Sequence, residues 1–161
     1  MKVLITGGRS ALALKILRAF THYNVVLADY GEMPNSSRFI SLGEKNKDTI
    51  AHTLLSNCLD EGIDMILPLH KFEISPLAKA KVLFDEFNVE ILLPNDGDLS
   101  TYFNLQAALK HENWAVFRKG EALFTSIADE QTAASGEALC LNGAFYVNYE
   151  NAVANLKLIT I

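Results

Sequence analysis

The sequence predicts an α/β fold, a Rossmann-like doubly wound parallel sheet with a short antiparallel C-terminal addition. Short runs of consecutive apolar residues, typical of strands buried on both faces, alternate with segments of helical periodicity throughout residues 1–110. Right-handed crossover connections turn such an alternation into a parallel sheet. An Asn142-Gly143 pair between two apolar runs predicts the antiparallel addition, because that pair favours a two-residue hairpin turn.

The first strand and helix lie within the first twenty residues. A buried strand is expected at residues 2–6, and Ser10 can cap the next helix because its hydroxyl can accept a backbone N–H. Apolar residues at helical spacing give that helix one buried face, formed by Leu12, Ile16, Leu17 and Phe20. A second buried strand follows at residues 24–28, with Asp29 at its carboxyl end.

The remaining core elements continue the alternation. Residues 31–48 are polar and irregular, with a short strand at 38–42. Helices are expected at 48–61, 75–87 and 98–110, and strands at 64–68 and 90–94. The tail adds a strand at Trp114–Arg118 and the hairpin at 139–147. We therefore expect one domain, 1–161, with an α/β core at 1–111 and a strand and hairpin extension at 112–161.

The composition excludes several classes of function. A net charge of −5 argues against a surface for nucleic-acid phosphates. No apolar run approaches the roughly 20 residues of a membrane span, and the N-terminus lacks the apolar core of a signal peptide. Two distant cysteines, Cys58 and Cys140, indicate a reduced, cytoplasmic protein. The four histidines show no metal-ligand spacing, so no metal site is predicted.

The loop Gly7-Gly8-Arg9-Ser10 is the first candidate for a binding site. It joins a strand end to a helix start, where backbone N–H groups and the helix dipole favour an anion. In open α/β sheets, ligands bind beyond the carboxyl ends of the strands. Asp29 follows the loop at about the 20-residue separation at which dinucleotide folds place a ribose-binding carboxylate. A tight turn that only packs strand against helix is the alternative.

The detailed nucleotide-binding patterns are incomplete. Arg9 and Leu12 stand where the G-x-G-x-x-G pattern needs glycine. The short-chain dehydrogenase pattern fits Thr6-Gly7, but Ala11 and Ala13 replace its later glycines. No tyrosine has a lysine four residues later, so the Tyr-x-x-x-Lys pair of that class is absent from the sequence. No cofactor is firmly predicted, and NAD remains an alternative.

Several stretches resemble a known family. "MKVLITGGRSALALKILRAF" with "VVLAD", then "EGIDMILP" and "ILLPNDGDLSTYFN", resemble the N-terminal pre-ATP-grasp domain of ATP-grasp ligases, of the carbamoyl-phosphate synthase and biotin carboxylase type. The resemblance covers roughly residues 1–110. It implies a Rossmann-like fold that shapes the substrate side, while ATP is bound by following domains that this sequence does not contain. The Asp-Lys pair of the family would fall at Asn104 and Leu105, so ligase catalysis is not expected.

These observations lead to one favoured hypothesis and two alternatives. We expect a small-ligand-binding or partner-binding domain without catalysis, whose crevice at the strand ends accepts an anionic or hydroxylated ligand. Its residues would be Gly7, Gly8, Arg9, Ser10, Asp29 and His70. The amides after Gly7 would hold the anion, Asp29 would accept hydroxyls, and Arg9 or His70 would supply charge. Arg9 could instead pin the loop to Asp29.

The first alternative is a degenerate NAD(P)-binding protein of the short-chain type. The second is an interaction module whose apolar tail forms a homodimer or docks a separate ATP-grasp chain. The apolar residues of that tail are Leu139, Leu141, Phe145, Tyr146, Val147, Leu156, Leu158 and Ile159. A tail that covers its own sheet is the plainer interpretation of the same residues.

Overall fold

The computed structural model describes residues 1–103 and 113–161. Internal contacts divide the chain into two compact units, Met1–Ile91 with Thr160–Ile161, and Leu92–Ile159. The expected boundary between residues 111 and 112 lies outside the described residues. Within the part of the chain that is described, no helix combines the length and apolar character required to cross a membrane.

A five-stranded parallel sheet forms the centre of the first unit, as predicted. Its strands are β1 (Lys2–Ile5), β2 (Asn24–Asp29), β3 (Phe39–Ser41), β4 (Met65–Leu67) and β5 (Glu90–Ile91). Their order is β3-β2-β1-β4-β5, and every neighbouring pair is parallel. The chain therefore reverses its direction across the sheet between β1 and β4, which is where open α/β sheets bind ligands.

Helices flank this sheet. They are α1 (Ala11–Ile16), α2 (Ile50–Asp60), α3 (Lys71–Lys79) and α4 (Lys81–Glu86), and a 3-10 turn at Leu17–Phe20 extends α1. Ser10 caps α1 as predicted, since its Oγ accepts the Ala13 amide at 3.1 Å. The single helix predicted at 75–87 was wrong. The helix begins earlier, at Lys71, because Glu73 closes a capping box by accepting the His70 amide at 3.3 Å. It is divided at Ala80 into α3 and α4.

The second unit holds a four-stranded antiparallel sheet. Its elements are α5 (Leu99–Tyr102), β6 (Trp114–Arg118), β7 (Glu121–Thr125), α6 (Glu130–Ala138), β8 (Gly143–Glu150) and β9 (Val153–Leu158). The strand order is β7-β6-β8-β9. The predicted strand at β6 is confirmed. Of the predicted helix at 98–110, Leu99–Tyr102 are helical as α5, and Phe103 caps its end. Residues 104–110 of that prediction lie outside the described part of the chain.

The predicted hairpin turn at Asn142-Gly143 was wrong. The residues before it leave helix α6, where Cys140 adopts a φ of 48°. The Cys140 amide donates to Glu137 and the Leu141 amide donates to Gly136, which is the Schellman pattern of a helix C-terminus. The two hairpins turn elsewhere, β6–β7 at residues 119–120 and β8–β9 at residues 151–152, and all four turn residues have positive φ.

Candidate functional site

The Asp29 carboxylate is the centre of the polar cluster at the carboxyl edge of the parallel sheet. Its Oδ1 accepts the Tyr30 amide at 2.9 Å and lies 2.9 Å from His70 Nε2. Its Oδ2 accepts the Arg9 amide at 3.2 Å and lies 3.4 Å from Arg9 Nε. Burial alone would raise the Asp29 pKa, but the bonds from His70 and the two amides outweigh it and hold that pKa below its ordinary value.

This arrangement fixes the side chains of Arg9 and His70. Because a carboxylate only accepts hydrogen bonds, Nε2 of His70 carries the proton directed at Asp29. The Arg9 guanidinium also donates to the Tyr30 carbonyl through Nη2 at 2.8 Å. A guanidinium has five N–H donors, so three of them remain beyond these two contacts. The Arg9 side chain is 56% exposed, which leaves those donors accessible to a ligand.

The structure corrects the predicted role of the glycine loop. The Gly8 amide donates to the Ala28 carbonyl at 2.9 Å, and the Ser10 amide donates to the Gly7 carbonyl at 2.9 Å. The Arg9 amide is bonded to the β2 carboxylate described above. The three amides expected to hold an anion therefore already have acceptors within the chain. The loop positions Arg9 instead of forming a backbone cradle.

Asp29 also has a different role from the one first expected. Its two oxygens receive four donors from the protein, so no strong acceptor site is left for ligand hydroxyls. The sequence alternative, in which Arg9 pins the loop to Asp29, is what the geometry shows. The same saturation removes the ribose contact on which the NAD alternative relied.

A second buried carboxylate, Glu73, was missed by the sequence interpretation. It is fully buried and accepts bonds from Thr6 Oγ1 at 2.5 Å, Tyr30 OH at 2.8 Å and the His70 amide at 3.3 Å. Thr6 Oγ1 in turn accepts the Leu69 amide at 2.8 Å. Burial raises the Glu73 pKa, and the bonds from Thr6 and Tyr30 only partly oppose it.

This network links the ends of β1, β2 and β4 to helix α3. An acidic residue three positions after a helix cap was the available signal, but the helix was placed too late in the sequence for Glu73 to occupy that position. Burial and the bond to Glu73 raise the pKa of the Tyr30 phenol far above its ordinary value. Tyr30 is therefore a protonated hydrogen-bond donor at neutral pH.

Three aromatic rings lie beside the Asp29 carboxylate. The rings of Tyr30, His70 and Phe72 pack with centroids 5.0 to 5.5 Å apart. Lys45 Nζ lies 3.6 Å from the centroid of the Phe72 ring, in a cation–π contact. The cluster therefore combines half-buried aromatic rings with the cationic groups of Arg9 and Lys45.

Ile161 occupies the space between the ends of β1 and β4. Its amide donates to the Leu69 carbonyl at 2.8 Å, and its oxygen accepts the Lys71 amide at 3.1 Å. Its side chain lies against Gly7, where a Cβ would collide with it. The accessible part of the site is therefore the side of the cluster that carries Arg9 and His70.

The other candidate residues have structural environments. Cys58 is buried within α2, and burial raises the pKa of its thiol to about 12, whereas Cys140 is exposed. Five of the eight apolar tail residues are buried in the second unit: Leu141, Phe145, Val147, Leu158 and Ile159. They cover their own sheet, and a homodimer through the tail stays a prediction.

The six predicted residues fall into two groups. Arg9, Asp29 and His70 form one connected cluster, and Gly7, Gly8 and Ser10 form the turn that supports it. Over residues 1–103 and 113–161, no three His, Cys, Asp or Glu side chains gather in a way that could hold a metal ion. No known family model matches this chain, and a search of curated proteins found no relative.

Proposed function

We propose that this protein is a small-ligand-binding domain without catalysis of its own, and that it recognises an anionic group at the carboxyl edge of its parallel sheet. The observation that carries the proposal is that one carboxylate fixes the positions of two basic side chains. One buried carboxylate, Asp29, holds Arg9 through Oδ2 and His70 through Oδ1. Basic groups held in this way lose little conformational entropy when they bind an anion.

Arg9 and His70 have separate roles in the proposed site. The remaining N–H groups of Arg9 can bind a carboxylate or phosphate in a bidentate manner. The His70 side chain is 18% exposed, so the accessible edge of its ring can contact a second ligand atom.

The absence of catalysis is part of the proposal. Both carboxylates of the cluster are engaged by donors of the protein, so neither is available as a general base without losing those bonds. Ser10 caps a helix and has no histidine beside it in the described contacts. The Tyr30 phenol is held protonated by its surroundings.

We also propose a distant relation to pre-ATP-grasp domains, supported by the parallel strand order and by the similar stretches of sequence. A cytoplasmic location is part of this proposal, supported by two cysteines that are not bonded to each other. A separate ATP-grasp chain as partner follows only if the relation holds. Mixing this protein with such a ligase domain and measuring sedimentation tests that partner.

Thermal shift with NADH, NADPH and Mg-ATP, each at about 1 mM, tests the binding function. A ligand present at about a hundred times its Kd stabilises the fold by roughly 2.7 kcal/mol, which is a rise of several degrees for a chain of this size. We expect a rise with at least one of the three, and its loss in Arg9→Gln. Arg18→Gln is the matched control, because Arg18 is also exposed and lies outside the cluster. No rise with any of the three probes contradicts the proposal. A rise with NADH alone that persists in Arg9→Gln supports the dinucleotide alternative instead.

A further inference from the structure

The connection between β2 and β3 contributes no covering helix to the parallel sheet. Parallel strands are normally covered on both faces by their crossover helices. The β1-to-β2 connection carries α1, but residues 30–38, between β2 and β3, contain no helix. Since right-handed crossovers along β1, β2 and β3 pass over the same face, the missing helix would lie beside α1.

A groove of about 450 Å³ occupies that position. Val25 and Leu27 alternate along β2 and so share a face, and Leu27 is paired in register with Phe39 of β3. The opposite wall comes from α1 and the 3-10 turn, with Leu14, Leu17 and Phe20. Leu14 is 55% exposed, which is unusual for a leucine that faces a sheet.

Arg38 is the one charged residue among those that line this groove. Its side chain is exposed, and it forms no ion pair or side-chain hydrogen bond with any described residue. The other polar lining residues are Thr21, Tyr23 and Asn24. An apolar cleft with a single unpaired guanidinium complements a molecule that has an apolar body and one anionic group.

We propose that this groove is a second binding site, for small amphiphilic anions that place an apolar body against Val25 and Leu27 and an anionic head group on Arg38. The groove volume of about 450 Å³ lies within the range of small-molecule sites, about 300–1,000 Å³. The single guanidinium of Arg38 favours an anionic head group on that molecule.

Calorimetric titration with decanoate, decyl phosphate, decanol and decylamine tests this proposal on the full chain. We expect both anions to bind, and decanol and decylamine to bind at least about tenfold more weakly, the usual value of a charge-assisted hydrogen bond. The ratio of the decanoate and decyl phosphate affinities distinguishes a carboxylate site from a phosphate site. Equal affinity for decanol and decanoate, or no binding of either anion at millimolar concentration, overturns the proposal.

Variants assign the binding to the groove. Arg38→Gln should weaken decanoate about tenfold and leave decanol unchanged, whereas Arg18→Gln, an exposed arginine outside the groove, should leave both unchanged. Val25→Trp should block both ligands by filling the groove, and its melting temperature reports whether it remains folded. Unchanged decanoate affinity in Arg38→Gln contradicts the proposed head-group contact.

Discussion

Gly8→Ala tests whether the glycine loop is a structural turn. A Cβ at this position would lie 2.8 Å from the Leu27 Cβ and 3.1 Å from the Ala28 amide nitrogen. Both neighbours belong to β2, and the Gly8 amide bonds to that strand, so the loop cannot retreat without losing a hydrogen bond. Overpacking of this kind costs about 1–3 kcal/mol.

The reduced entropy of the unfolded chain offsets this cost by about 0.4–1 kcal/mol, so the midpoints of the two ranges give an expected net loss of about 1.3 kcal/mol. For a chain of this size, each kcal/mol lowers Tm by about 2–4 °C. Gly97→Ala is the control, because its added Cβ meets no atom within 4 Å and Gly97 does not have positive φ. Thermal unfolding of both variants measures the effect. If Gly8→Ala has the same Tm as the wild type, the close approach of the loop to β2 is not required for stability and the reasoning is wrong.

Three further predictions concern buried groups. Asp29→Asn should lose about 2 kcal/mol of stability at pH 7. Folding lowers the Asp29 pKa, so the wild type should be more stable than Asp29→Asn at pH values above the ordinary carboxyl pKa of 3.8. This difference in unfolding free energy should disappear as the pH falls through the pKa of Asp29 in the folded protein. Urea unfolding across pH 2–7 measures it. Glu73→Gln should show the opposite trend: since folding raises the Glu73 pKa, the wild type loses stability as pH rises above 4.5, and the variant should lack that slope in the same measurement. An aromatic disulfide reagent should modify Cys140 quickly and Cys58 only on unfolding; rapid release of two thiols would contradict the burial of Cys58.

The parallel sheet was predictable because its signal is local. Consecutive apolar residues at β1, β2 and β4 are buried almost completely, and Ser10 caps the helix that its position predicts. A correct prediction of the antiparallel sheet required the recognition of helix α6, but the residues of that helix have no strong apolar periodicity. Without that helix, Asn142-Gly143 resembles a hairpin turn, although the preceding residues form its Schellman exit.

The sequence predicted which residues form the candidate site better than it predicted what each of them does there. Arg9, Asp29 and His70 were chosen because they lie at strand ends, and parallel strands bring those ends to one edge. The sequence did not show that Asp29 would hold Arg9 and His70, because the hydrogen bonds of Asp29 depend on side-chain positions that three separate elements set. Glu73 was missed because its importance comes from burial, which an error in one helix boundary concealed.

An amide-resolved NMR titration with pyrophosphate at pH 7 tests the proposed strand-end site most directly. We predict saturable shifts centred on the amides of Arg9, Tyr30 and His70, because these residues surround the clamped basic groups. In Arg9→Gln the shifts should be lost, and in Arg18→Gln they should persist. Shifts scattered over the exposed lysines, or none at all, would contradict the claim that Asp29 holds Arg9 and His70 ready for an anion.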